Sequence, residues 1–192
     1  MARPRVTGVD VALDAAGRVL VAKGIAATTV EDVAAEAGVS RATVYRYLGG
    51  KDEIVGAVIA RETRALLAAI EGLVAEAGSP GELIEHLVAT AVDVVRERPL
   101  LSRLNNEDRR ETLPFITVDG AGLIDGVVET LGPVIRDNVT FEYNADALDT
   151  ALEEITRLVL SHLTTPRRDG QRLDPAEFSR RVATMIQPLL DP

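Results

Sequence analysis

At 192 residues, with 46% hydrophobic but only 3% aromatic side chains and no Trp, the chain can build a sizeable core, and an aliphatic core of this kind suits helices. The absence of Cys excludes disulfides and thiolate metal sites, and no stretch reaches the roughly 18 uncharged apolar residues of a membrane helix, so a soluble, cytoplasmic protein is expected. The net charge of −9 argues against a generally basic nucleic-acid-binding coat, yet residues 1–50 hold six basic against five acidic groups while the remainder holds 15 against 25.

In chain order, residues 1–8 form a polar arm whose Arg3 and Arg5 suit either a frayed terminus or a tail reaching the minor groove. Ala12, Leu13, Ala16, Val19 and Leu20 then share one helical face from Val9 to about Lys23, and Gly24 supplies the stop. Gly17, inside that helix, costs roughly 1 kcal/mol relative to Ala unless a close helix crossing uses its missing side chain.

Thr29 is the expected N-cap of the next helix, with Asp32 three residues on and Val30, Val33, Ala34 and Ala37 on its buried side. Gly38 suits the left-handed position after its last turn, and Ser40 caps a further short helix, about Arg41 to Leu48, that buries Val44 and Leu48. Its other faces show Arg41, Ala42, Thr43, Tyr45, Arg46 and Tyr47, followed by Lys51. These are either a solvated face or the chemistry of DNA contact. In the second reading Arg41 and Thr43 reach base edges, Ala42 allows close approach, and Thr29, Ser40, Tyr45, Tyr47 and Lys51 donate to phosphates.

The stretch from about Val9 to Leu66 resembles the DNA-binding region of the TetR family of bacterial transcriptional regulators. The resemblance rests on Ala27-Thr28-Thr29-Val30, the turn Ala37-Gly38-Val39-Ser40, and Thr43-Val44-Tyr45-Arg46-Tyr47 followed by Lys51. Leu48 stands where the family usually has Phe, and Gly17 where it commonly has a large apolar residue, two departures that concern packing. The resemblance implies an all-α fold: a three-helix head with a helix-turn-helix, a long linking helix, and a helical ligand-binding and dimerisation domain, divided here at residues 1–50 and 51–192. It also implies repression relieved by a small molecule.

The remaining pattern is helical throughout. Lys51-Asp52-Glu53 opens a helix to about Ala77, roughly 40 Å long. Helices are expected at about Glu82 to Arg98 and Leu100 to Asp108, with Pro114 and Gly120 interrupting the pattern that follows. Another spans about Ala121 to Val139, with a kink expected at Gly132-Pro133. The last two, Asp146 to about Leu163 and the one capped by Asp174 with Pro175 at its first position, carry wide apolar stripes. Those stripes suit either intrachain packing or a homodimer, and the family resemblance implies a four-helix bundle with the symmetry mates.

His86 and His162 stand alone on separate helices, adjacent Ser161 and His162 point about 100° apart, and Gly120-Ala121-Gly122 lacks a phosphate loop's strand context. No catalytic, metal or cofactor constellation is therefore expected. The polar or aromatic candidates for an effector pocket are His86, Asn105, Asn106, Phe115 and His162, and the scarcity of aromatics favours an aliphatic effector over a cationic one. The expected function is a dimeric repressor on an imperfect palindrome, with half-sites spaced by about 34–36 Å or more. The alternative is a helical small-molecule-binding protein, or an enzyme, that keeps the head as a structural remnant.

Overall fold

The computed structural model describes residues 8–118, 120–171 and 174–192, so Arg3 and Arg5 lie outside the described residues. Those residues form ten α-helices, one 3-10 turn and no strand, the all-α fold that an aliphatic, aromatic-poor sequence favours. The helices are α1 (Gly8–Ala27), α2 (Val30–Ala37), α3 (Arg41–Leu48), α4 (Lys51–Val74), α5 (Pro80–Glu97), α6 (Pro99–Asn106), α7 (Arg109–Ile116), α8 (Ala121–Asn138), α9 (Leu148–Thr164) and α10 (Pro175–Leu190). They pack as two compact units, Met1–Glu62 with Pro99–Thr112 and Thr63–Arg98 with Leu113–Pro192.

In the first unit α1 packs against α2, α3 and α6. Gly24 has the expected left-handed φ (79°, with ψ 171°) but kinks α1 where a stop was expected, and three more residues complete the helix. A Cβ at Gly24 would lie 2.6 Å from the Asp108 carboxylate and 2.8 Å from the Arg103 guanidinium, so glycine is required there for both conformation and space. Arg103 Nη1 donates to the Val21 carbonyl at 3.2 Å, and its Nε donates to buried Asp108 at 3.1 Å. A carbonyl freed by the break is thus capped by a cation at the negative end of the helix segment.

Gly17 is also explained by a neighbour, because a Cβ there would sit 2.7 Å from Arg61 Nη2. Arg61 uses that space to donate to Asp14 through Nη1 at 2.7 Å.

In the second unit α5 lies along α10, and α9 packs against α8, α10 and α5. The stripes anticipated for the last two helices close this core: Leu148, Leu152, Ile155 and Val159 of α9 and Phe178, Val182 and Ile186 of α10 are buried. Asp174 and Pro175 start α10 as read from the sequence, the carboxylate accepting from the Ala176 amide at 3.0 Å. The backbone before α9 is tied to the end of α10 by Asn144 N–H donating to Leu190 O at 2.9 Å.

Several boundaries differ from expectation. Pro114 does not interrupt α7; it lies inside it. The ring forfeits a bond to the carbonyl of Arg110, while the first turn is held by both the amide and hydroxyl of Thr112 donating to the Asp108 carbonyl at 2.9 Å. α4 ends at Val74 because Glu76 and Ala77 tighten into i to i−3 bonds, and Asp146 belongs to a 3-10 turn before α9.

Gly24→Ala should lower the unfolding free energy of the first unit by about 2–3 kcal/mol, read from urea denaturation followed by circular dichroism. Stability equal to the parent's would show that Arg103 and Asp108 can move aside.

Candidate nucleic-acid interface

The candidate interface begins with the ends of two short helices. Thr29, extended at φ −123° and ψ 161°, closes a full capping box: its Oγ1 accepts from the Asp32 amide at 3.2 Å while its own amide donates to the Asp32 carboxylate at 3.1 Å. α2 ends at Gly38 in the left-handed conformation, φ 68° and ψ 29°. The Gly38 amide donates to Ala35 O and the Val39 amide to Ala34 O, the paired bonds of a Schellman turn. Glycine is needed at Gly38 for its positive φ and not for space, because a Cβ there would meet nothing within 4 Å.

Ser40 then starts α3, its Oγ accepting from the Thr43 amide at 3.1 Å. Val44 and Leu48 bury one face of α3, each burial contributing on the order of 1.5–3 kcal/mol. Seating that face leaves Arg41, Ala42, Tyr45 and Arg46 exposed, with Tyr45 showing 51% of its surface, and leaves Thr43 and Tyr47 half-buried. The Arg46 guanidinium carbon lies 5.0 Å from the centroid of the Tyr47 ring, a cation over an aromatic face. Tyr47 itself packs towards the start of α1, where a Cβ on Gly8 would be 2.9 Å from its hydroxyl.

Two contacts were invisible in the pattern. Lys51 Nζ donates to the Ala26 carbonyl at 2.8 Å, capping the end of α1; an ammonium retains two further hydrogens for another acceptor. Arg41 Nη2 lies 2.5 Å from Glu31 Oε1 on the first turn of α2. Neither local spacing nor helical periodicity signals a pairing across 25 residues or between two helices.

The acidic residues of α2 are all engaged. Glu36 accepts from Arg18 at 2.6 Å and Asp32 from Lys23 at 2.6 Å, both donors on α1. The hydrogen bond from Lys23, and then that from the Thr29 hydroxyl, hold the Asp32 carboxyl below its ordinary range.

The five pocket candidates lie on four helices. His86 on α5 is half-buried, and its buried Nδ1 has no hydrogen-bond partner. Asn106 on α6 is exposed and donates to its own helix at Ser102 O, 2.8 Å away. The Asn105 carbonyl, also on α6, accepts from Arg109 at 3.3 Å. Phe115 on α7 is half-buried, and the His162 ring on α9 stacks on Phe178 of α10 with centroids 3.9 Å apart. Among the described residues no three His, Asp or Glu are grouped to hold a metal ion, and no helix is long and apolar enough to cross a membrane.

Residues 12–58 match the family described as bacterial regulatory proteins, tetR family, and residues 63–188 match the bacterial tetracyclin repressor C-terminal domain. An uncharacterized HTH-type transcriptional regulator of Mycobacterium tuberculosis is 29% identical over 190 residues, spanning 95% of this chain and 85% of its own. The HTH-type regulator AlkX of the same species is 27% identical over 161 residues, covering 82% of this chain and 75% of that protein. The crystal structure of a TetR family repressor, AlkX from a Dietzia strain, implicated in biodegradation of n-alkanes, superposes with a TM-score of 0.77 at 21% identity, over 97% of this chain and 96% of that one.

Because the folded-state Asp32 carboxyl sits below its unfolded value, its contribution is present above about pH 4 and is lost as pH falls through the folded value. An acid titration followed by circular dichroism should therefore show the parent losing structure towards low pH with a component absent from Asp32→Asn, which should be less stable at pH 7. Superimposable acid curves for the two would remove Asp32 from the account.

Proposed function

Given that the chain belongs to the TetR family and is a DNA-binding transcriptional regulator, we propose that it represses as a homodimer on an imperfect palindrome read by α3, and that an aliphatic effector bound in the second unit releases it. The observation that carries the DNA reading is the α3 surface: a helix fixed by Val44 and Leu48 that displays Arg41, Ala42, Tyr45 and Arg46 to solvent. Arg41 and Thr43 near its N-terminus are assigned to base edges, with Arg41 suited to guanine O6 and N7. Tyr45, Tyr47, Arg46, Ser40, Thr29 and the remaining hydrogens of Lys51 are assigned to phosphates.

Dimerisation through α9 and α10 is supported by what those helices leave uncovered. Met185 is 62% exposed and Leu189 40%, one turn apart on α10, while Leu158 and Leu160 of α9 are half-buried. A homodimer carries two copies of α3, so the operator's symmetry would mirror the protein's, with half-sites about 34–36 Å apart or more.

The aliphatic effector is supported by contrast within one helix. Leu131 and Ile135 in the second half of α8 are buried, whereas Leu123, Ile124, Val127 and Val128 in its first half are only half-buried. Leu113, Phe115 and Ile116 before it are also half-buried. Large apolar residues left partly uncovered suit an apolar ligand that completes their burial, at about 25 cal/mol per Å² removed from water. His86, with its unpartnered Nδ1, is the candidate for a polar contact within that unit.

Titrating the protein into duplexes from its own upstream intergenic DNA should show saturable, salt-sensitive binding to an inverted repeat, and Tyr45→Ala should weaken it about tenfold without unfolding the protein. Binding indifferent to sequence would overturn the operator reading. In a thermal-shift screen, long-chain alkyl or acyl compounds should raise the melting temperature most, and the best of them should weaken DNA binding by the same factor by which DNA weakens its own. A flat aromatic cation as the tightest binder would overturn the aliphatic assignment.

A further inference from the structure

Glu31 differs from the other acids of α2 in what it pairs with. Asp32 and Glu36 are held by Lys23 and Arg18 on α1, inside the framework of the head. Glu31 instead meets Arg41, the first residue of α3 and the side chain best placed to reach a base, at 2.5 Å. The pair does little to hold the fold: both side chains are more than half exposed, and exposed pairs contribute about 0–1 kcal/mol. The cap of α2 runs through Thr29 and Asp32 and its buried face through Val30 and Val33, so neither needs Glu31.

What the pair changes is the guanidinium. Arg presents five N–H groups in one plane, and here Nη2 is turned to a carboxylate, which leaves the rest of the fork for a second acceptor. Guanine O6 and N7 are uncharged acceptors, and a carboxylate beside the arginine tolerates them. A phosphate is an anion, and the same carboxylate repels it while cancelling the charge that would attract it. Glu31 also offers an oxygen to the N4 amino group of a neighbouring cytosine, a donor that phosphate and thymine do not present.

We infer that Glu31 is a specificity-determining positioning residue: it holds Arg41 for a guanine edge and withholds that guanidinium from the DNA backbone. The inference rests on the assignment of Arg41 to base reading made above. It implies that this acid lowers affinity for DNA in general and raises discrimination among sequences.

The test selects preferred duplexes from a randomised pool, then measures affinity for the selected site, for the same site with the guanine opposite Arg41 replaced, and for random-sequence DNA, each at several salt concentrations. The parent should discriminate the replaced base by about tenfold. Glu31→Ala should reduce that ratio to about threefold or less, tighten random-sequence binding by about threefold to tenfold, and steepen the salt dependence by about one phosphate contact. Glu31→Asp should restore part of the discrimination. Glu31→Gln, nearly isosteric and folded if Glu31→Ala is not, should tighten random-sequence binding to a similar extent. Arg41→Ala separates the two layers: if it keeps the parent's preference for guanine, the base-reading assignment of Arg41 is wrong whatever Glu31 does. If Arg41→Ala loses the preference while Glu31→Ala keeps it, the role given to Glu31 is overturned.

Discussion

The break in α1 at Gly24 is the constraint on which the head depends. The break at Gly24 and the helix end three residues later leave carbonyls without their usual amide partners: Val21 O is met by Arg103 and Ala26 O by Lys51, both from far away in the chain, and Gly24 O by the nearby Thr28 hydroxyl at 2.6 Å. Arg103 can hold that position because buried Asp108 neutralises it, and Asp108 fits because residue 24 has no side chain. The turn made at Gly24 sets where Thr28 and Thr29 begin α2, and the capping box and Schellman turn carry that placement on to α3. The surface proposed to meet DNA is therefore located by hydrogen bonds that lie behind it, in the framework of the head.

Electrostatics in the head follow the same economy. Arg18, Lys23, Arg41 and Arg61 are each paired with an acid, and Arg46 rests on the face of Tyr47. These described charges are thus engaged locally and are not spread as a diffuse positive field. In the DNA-binding reading proposed above, attraction to DNA falls to side chains that already have protein partners, which favours recognition of particular sequences over general adhesion.

How much of this could be read from the sequence depended on the range of the interaction. Caps and turns are local: Thr29 with Asp32, Gly38 at the left-handed position, Ser40 before α3 and Asp174-Pro175 before α10 all declare themselves within four residues, and the structure forms each of them. Apolar periodicity likewise marked which faces of α3, α9 and α10 are buried. It cannot name the partner of a face, so the packing of α6 on α1, the use of Lys51 as a cap and the pairing of Glu31 with Arg41 had no signature. Pro114 misled for the opposite reason. A strong local rule predicted an interruption, but a helix of eight residues anchored at its first turn by Thr112 accommodates one missing amide bond. Gly17 sat between these cases: its cost was legible, and the Arg61 guanidinium that occupies the vacant space was not.

The head unit is assembled from two separated stretches of chain, since Pro99–Thr112 packs with Met1–Glu62. An N-terminal fragment cut after α4 begins would contain every residue of the helix-turn-helix and still lack α6, the Arg103 cap on Val21 and the Asp108 that fills the space beside Gly24. Such a fragment would carry the whole helix-turn-helix on an incompletely supported α1. Isolating the reading head of this regulator thus calls for grafting the 99–112 segment back through a designed linker rather than for a simple truncation.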